Sequence, residues 1–106
     1  MEAQPREIKR YGTVDGKVPF AEWLDSLRDN RAISKINARI KRVALGNLGD
    51  YRSVGEGVCE LRIDYGAGYR IYFGQIGTTI IVLLCGGDKS TQPEDITKAK
   101  EYWEDY

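Results

Sequence analysis

Four side chains in the C-terminal half have the types and the spacing of an anion-binding site: Arg62, Arg70, Tyr72 and Lys89. Arg62 and Arg70 fall in neighbouring predicted strands, and a glycine-containing turn at 66–68 pairs these strands antiparallel. Side-chain alternation then places both arginines and Tyr72 on one polar face. Guanidinium groups grip phosphate through paired hydrogen bonds and stabilise negative charge that develops during a reaction. The pattern predicts a surface that holds a phosphodiester.

An ordinary structural interpretation also exists for each of these cations. The two arginines could instead form surface ion pairs with Glu60 and Asp64, and such pairs contribute little to stability. Lys89 lies in the segment CGGDKS at 85–90, whose glycines allow the backbone to approach a ligand closely. The same segment fits a plain strand-to-helix connection with a solvated lysine. It lacks the GxxxxGK[ST] spacing of the phosphate-binding loop in nucleotide hydrolases.

The absence of histidine limits the chemistry that the chain can perform. Ser-His-Asp and Cys-His catalysis and histidine-metal sites are excluded, so any catalysis must use carboxylates, Tyr, Lys, Arg, Cys or backbone groups. Cys59 and Cys85 lie in apolar runs without a CxxC motif, which predicts buried, reduced thiols. No metal and no cofactor are predicted.

A basic segment, RAISKINARIKR at 31–42, contains five cations and no acidic residue. Lys35, Arg39, Lys41 and Arg42 are its candidate contacts for a polyanion, and a solvated helix face is the equally supported alternative. Basic and acidic residues number 16 each over the whole chain, so the net charge of zero gives no global attraction to nucleic acid or membrane.

The N-terminal half predicts one strand and two helices that position these groups. REIKRYG at 6–12 is a short strand, and Asp15-Gly16 forms the turn after it. Apolar residues at helical spacing predict a first helix over 19–28 and a second over 31–45. Two antiparallel helices joined by a short loop must cover an apolar surface.

That surface is a predicted meander of three strands at 58–64, 69–74 and 79–85. The first two strands alternate, which predicts one apolar and one polar face. The third is continuously apolar, which predicts burial on both faces and a central place in the sheet. The stretch at 46–58 is interpreted as a loop. TQPE at 91–94 matches a capping box and begins the last helix.

The length of 106 residues fits one domain, residues 1–106, with one core. The fold class is α+β: a mainly antiparallel twisted sheet, made of the N-terminal strand and the three-strand meander, packed against the two-helix hairpin, with a C-terminal helix. No apolar run is long enough to span a bilayer, and the N-terminus has no apolar secretory core. A cytoplasmic location is expected.

This order of elements, together with ELR at 60–62, GYRIYF at 68–73 and LLCGGDKSTQ at 83–92, resembles the RelE/HigB superfamily. The likeness is greatest to its phage-derived branch of putative addiction-module killer proteins. The resemblance implies a RelE-like fold and a toxin of a type II toxin-antitoxin system. It also implies an mRNA interferase that cleaves messenger RNA on the ribosome, without a metal, by attack of a 2′-hydroxyl on the neighbouring phosphate.

The resemblance also assigns roles to the candidate residues. Arg70 would bind the scissile phosphate and its developing charge, Arg62 would bind phosphate, and Lys89 would contact phosphate or the leaving group. Tyr72 would be a general acid or a base-stacking partner. Two proton acceptors stay open: a lysine whose pKa is depressed by the arginines, or Glu60. The cations at 31–42 would contact RNA or the ribosome.

The partners implied are a cognate antitoxin, expected to be a small helix-turn-helix protein encoded nearby, and mRNA on the ribosome. Operator DNA would be reached only through the antitoxin, and no membrane partner is expected. The alternative function is a catalytically weak or inactive toxin-fold protein that binds the antitoxin and takes part in autoregulation of transcription. Zero net charge and the absence of histidine favour that alternative. General RNA binding is a third hypothesis.

Overall fold

The computed structural model describes residues 4–106 and has the expected α+β architecture, with a five-stranded mixed sheet and three α-helices. The elements in chain order are β1 (Glu7–Arg10), α1 (Pro19–Ser26), α2 (Asn30–Ala44), β2 (Tyr51–Gly55), β3 (Val58–Ile63), β4 (Tyr69–Ile76), β5 (Ile80–Gly87), a 3₁₀ helix (Lys89–Thr91) and α3 (Gln92–Asp105). Both predicted N-terminal helices are confirmed, with their ends shifted by one or two residues.

The sheet has the strand order β1-β5-β4-β3-β2, in which β1 lies parallel to β5 and the other pairs are antiparallel. β5 is an interior strand, as its apolar run predicts, but the middle of the sheet is β4. The interpretation of residues 46–58 as a loop is wrong, because Tyr51–Gly55 forms the edge strand β2. A register shift between Ser53 and Gly55 interrupts the pairing of this strand with β3.

Helices cover both faces of the sheet, so the prediction of an open polar face is wrong. On one face, α1 and α2 pack through Phe20, Ile36 and Val43 against a cluster that includes Leu61 and Ile71. On the other face, α3 packs on a second cluster through a set of mostly buried side chains, which includes Val58, Tyr72, Val82, Leu84 and Ala99. The alternating polar positions of β3 and β4 therefore lie mostly beneath α3.

Each helical layer seats a tryptophan on a glycine of the sheet. Trp23 of α1 packs over Gly86, which lies opposite Ile71 on the α1 side. Trp103 of α3 packs over Gly74, which lies opposite Val82 on the α3 side. A Cβ atom at either glycine would overlap the indole ring. Both tryptophans therefore pack against the core clusters, and the glycines make this packing sterically feasible.

Gly86→Ala is expected to destabilise the fold by about 1–3 kcal/mol, because the added methyl group overpacks the α1 layer. Gly12→Ala is the control, since its Cβ would meet atoms no closer than 3.6 Å. Urea unfolding monitored by circular dichroism measures the free energy of both variants. Equal stability of Gly86→Ala and the unaltered chain would show that Trp23 can move without cost.

The connection into α3 differs from the predicted capping box at 91–94. The reciprocal cap belongs to the 3₁₀ helix, between Asp88 and Thr91, and Thr91 makes no side-chain cap on α3. The Thr91 hydroxyl instead donates to the carboxylate of Asp95 at 2.5 Å. The short helix therefore holds Lys89 at a fixed place directly before α3.

Cys59 and Cys85 are free thiols on opposite sides of the sheet, as their packing in the two clusters shows. Burial raises the pKa of Cys59, and it raises the pKa of Cys85 to about 12. The prediction of buried, reduced thiols is therefore confirmed for Cys85, and Cys59 is half-buried. Within residues 4–106, every helix is too short or too polar to cross a bilayer.

Candidate anion-binding cleft

A cleft of about 450 Å³ opens where β3 and β4 meet the loop that leaves β5. Arg62 and Arg70 lie directly opposite each other on β3 and β4, as antiparallel pairing through the turn predicted. Lys89 joins them in the lining, because its backbone N–H donates to the carbonyl of Ala67 at 3.3 Å. The structure thus brings together three of the four predicted site residues.

Arg70 is held firmly at the inner wall of this cleft. Its side chain is 7% exposed, and Nη1 donates to the carbonyl oxygen of Gly68 at 2.6 Å. Nε lies 3.5 Å from Oε2 of Glu60, but within residues 4–106 it makes no hydrogen bond of good geometry. The guanidinium therefore presents a fixed, desolvated cation to any ligand in the cleft.

Arg62 and Lys89 are exposed, which distinguishes them from Arg70. Within the described part of the chain, neither side chain has a hydrogen bond or an ion pair. The surface pair between Arg62 and Glu60 considered from the sequence is therefore not formed, nor is a pair between Arg70 and Asp64. Both groups can turn toward an anion that enters the cleft.

Glu60 is the buried centre of a polar network beneath α3. Its side chain is fully buried, and it accepts hydrogen bonds from Arg52 at 2.9 Å, Tyr72 at 3.0 Å and Gln92 at 2.8 Å. Burial alone would raise the pKa of Glu60, but hydrogen bonds from these three side chains outweigh it and lower the pKa below its usual value. Glu60 is thus an ionised anchor for Arg70, and the hypothesis that it is an accessible base is wrong.

Tyr72 lies in the same network and not on an open surface. The ring is fully buried, so the predicted role in base stacking is wrong for this arrangement. Burial, followed by the negative charge of Glu60 and the hydrogen bond to it, raises the pKa of Tyr72 well above its ordinary value. The hydroxyl therefore stays protonated and donates to the carboxylate of Glu60, and Tyr72 is not part of the cleft lining.

Tyr72→Phe is expected to cost about 1.5–3 kcal/mol of folding free energy, because the hydroxyl donates to a charged group. Anion binding in the cleft is expected to be unchanged, since the ring stays in place. Urea unfolding and phosphate titration measure the two quantities separately. Intact stability with lost anion binding would instead place the hydroxyl in the site.

The predicted cationic face of α2 is divided by the fold. Arg39 points inward, 6% exposed, and Nη2 donates to the carbonyls of Leu48 at 2.6 Å and Asp50 at 3.1 Å. Burial lowers the pKa of Arg39. Its assignment as an exposed RNA contact is therefore wrong, because Arg39 instead fixes the loop before β2.

The other three predicted α2 contacts, Lys35, Lys41 and Arg42, are exposed. Lys35, Arg42 and the buried Arg39 line a second hollow of about 290 Å³, which shares Arg62 with the first. Lys41 lines neither hollow. The structure therefore places three of the four predicted α2 residues at the second hollow, and two of these three are exposed.

Two carboxylates in the cleft wall had little support from the sequence. Asp50 lies in the stretch at 46–58 that the sequence indicates as a loop, and the sequence suggests Asp64 only as an ion-pair partner. Both line the first hollow together with the three cations. Only their positions could have indicated them, because Asp50 directly precedes β2 and Asp64 directly follows β3. Within residues 4–106, no cluster of three or more acidic or cysteine side chains is arranged to hold a metal ion.

Comparison with known proteins adds a relative but no activity. No protein-family model matches the sequence. A protein of Haemophilus influenzae (strain ATCC 51907 / DSM 11121 / KW20 / Rd), described as uncharacterized, is 56% identical over 81 residues, which are 76% of this chain and 82% of that protein.

Proposed function

We propose a function for the chain from the chemistry of its cleft. The chain belongs to the same family as the uncharacterized Haemophilus influenzae protein. The function is that of a type II toxin, a ribosome-dependent mRNA endonuclease of the RelE/HigB kind. The observation that carries the proposal is the cross-strand pair of Arg62 and Arg70, with Lys89 in the same cleft. Three convergent cations are suited to a phosphodiester and to the extra charge of its transition state.

In the proposed reaction the 2′-oxygen of a nucleotide forms a bond to the adjacent phosphorus, and the bond from phosphorus to the 5′-oxygen breaks. The products are a 2′,3′-cyclic phosphate and a 5′-hydroxyl end. The 2′-hydroxyl loses one proton and the leaving oxygen gains one. Arg70 and Arg62 hold the phosphate oxygens, and Lys89 contacts the leaving oxygen.

The proton acceptor in this scheme is a carboxylate of the cleft wall, Asp50 or Asp64. Geometry supports these two, because a base must come within hydrogen-bond reach of the hydroxyl that it deprotonates. Glu60 and Tyr72 do not meet this condition, since both are fully buried beneath α3. The proposed partner that silences the activity is an antitoxin that covers the cleft or prevents entry into the ribosome.

The test is induction of the chain alone, without its neighbouring genes, followed by mapping of RNA ends. The proposal expects growth arrest and new 5′-hydroxyl ends within translated messages. Co-expression of a helix-turn-helix protein encoded beside it is expected to restore growth. Normal growth with intact transcripts at full expression would reject the proposal.

One observation favours the second candidate, an inactive toxin fold that binds an antitoxin. Arg70 is paired with buried Glu60 and is only 7% exposed, which reduces the positive charge available to a phosphate. This candidate expects tight binding to the helix-turn-helix protein and no arrest of growth. Arrest that requires the cleft cations would decide against it.

A further inference from the structure

We infer that the cleft continues across α2 as a binding track for single-stranded RNA that extends beyond the scissile phosphate. The choice of RNA as ligand rests on the proposed function. The track itself rests on the continuity of three hollows and on the charges that line them. It separates the exposed α2 cations that contact RNA from Lys41, which does not.

The three hollows are joined in series by shared walls. The first and the second share Arg62, Ile63 and Asp64. The second and a third hollow of about 500 Å³ share Lys35 and Ala38. A single phosphate group fills only a part of the first hollow, so the remaining length is available to neighbouring nucleotides.

Cations recur along the whole length of this track. Lys89, Arg70 and Arg62 line the first hollow, Arg62, Arg42, Lys35 and the buried Arg39 line the second, and Lys35 and Arg31 line the third. Two carboxylates also line it, Asp50 in the first hollow and Asp64 in the wall that the first and second hollows share. A groove lined by successive cations binds the backbone of a single strand along its length without reading its sequence.

The far end of the track is held in place by aromatic and polar contacts. Nζ of Lys35 lies 5.2 Å from the ring centroid of Tyr65, a distance at which the ammonium is attracted to the ring face. The hydroxyl of Tyr65 donates to Asp29 at 3.2 Å, and Asp29 caps the N-terminus of α2. Lys35 is thus a cation with a restricted position, which reduces the entropy lost when it binds a phosphate.

The experiment measures the affinity of the full chain for a short single-stranded 2′-O-methyl RNA, which cannot be cleaved because its 2′-oxygen is blocked. Fluorescence anisotropy at several salt concentrations gives the slope of log affinity against log salt. Each phosphate contact in a single strand contributes about 0.7 to that slope. Lys35→Ala and Arg42→Ala are each expected to weaken binding and to reduce the slope by about 0.7.

Lys41→Ala is the matched control, because Lys41 has the same charge, lies on the same helix next to Arg42, and lies outside the track. It is expected to leave the slope unchanged. Equal effects of Lys41→Ala and Arg42→Ala would overturn the inference, since they would show that only net charge matters. Tighter binding of an RNA duplex or of an acidic peptide than of the single strand would also overturn it.

Failure of the track and failure of the proposed function give different results. Cleavage in cells, combined with oligonucleotide binding that Lys35→Ala and Arg42→Ala leave unchanged, would reject the track and support the endonuclease function. Binding that depends on these two residues, combined with no cleavage in cells, would keep the track and reject the endonuclease.

Discussion

Replacing Arg70 with alanine is expected to lower RNA cleavage in induced cells by at least about a hundredfold, the usual effect of removing one preorganised donor from a transition-state charge. Arg70 is the desolvated cation at the inner wall of the cleft, and its guanidinium is fixed by Gly68. The measurement is the frequency of new 5′-hydroxyl RNA ends at matched protein levels. Cells that express the Arg70→Ala protein are also expected to grow normally, because cleavage is lost.

Arg52→Ala is the control for the network behind Arg70. Arg52 pairs with the same carboxylate, Glu60, but it is half-exposed on β2 and lies outside the cleft. It is expected to keep cleavage activity, and circular dichroism establishes that both variants fold. Full cleavage by a folded Arg70→Ala protein would remove Arg70 from the proposed reaction.

Replacing Glu60 with alanine is expected to destabilise the fold by about 3–5 kcal/mol, because it leaves the guanidinium of Arg70 buried without its carboxylate. The hydrogen bonds from Tyr72 and Gln92 lose their acceptor at the same time. Urea unfolding measures the loss. A double variant, Glu60→Ala with Arg70→Ala, is expected to recover part of it, since the unpaired charge is then gone.

The same network makes stability depend on acid pH. The pKa of Glu60 is lowered in the folded chain relative to its ordinary value of 4.5, so the folded state favours the charged form. The stabilisation that ionised Glu60 gives to the folded state is complete above pH 4.5. It is lost as the pH falls through the lowered pKa of Glu60 in the folded chain. The difference in stability between the unaltered chain and Glu60→Gln is expected to shrink over that acid range. A constant difference would contradict an ionised Glu60.

The sequence predicts elements well where one periodicity dominates. The helices at 19–28 and 31–45 were found from apolar spacing, and β5 from its continuous apolar run. β2 was missed because glycines and a register shift hide a short edge strand. The layer formed by α3 was also missed, since a stripe of Ile96, Ala99 and Trp103 shows that the helix packs but not which face of the sheet it covers.

The site shows the same division between local and tertiary information. The pairing of Arg62 with Arg70 follows from one turn and one register, so it was predictable. Arg39 was also predictable in principle, because Ala32, Ile36, Arg39 and Val43 recur at intervals of four, three and four and form the buried stripe of α2. The burial of Glu60 depends on Gln92, which is distant in sequence, and no local pattern reveals it.

The two tryptophans make the helical layers optically separable. Trp23 is seated on Gly86 in the α1 layer and Trp103 on Gly74 in the α3 layer. A chain that keeps only one indole emits from only one side of the sheet. Intrinsic fluorescence of Trp23→Phe and Trp103→Phe proteins therefore distinguishes a ligand that displaces α3 from one that loosens α1, without any attached dye.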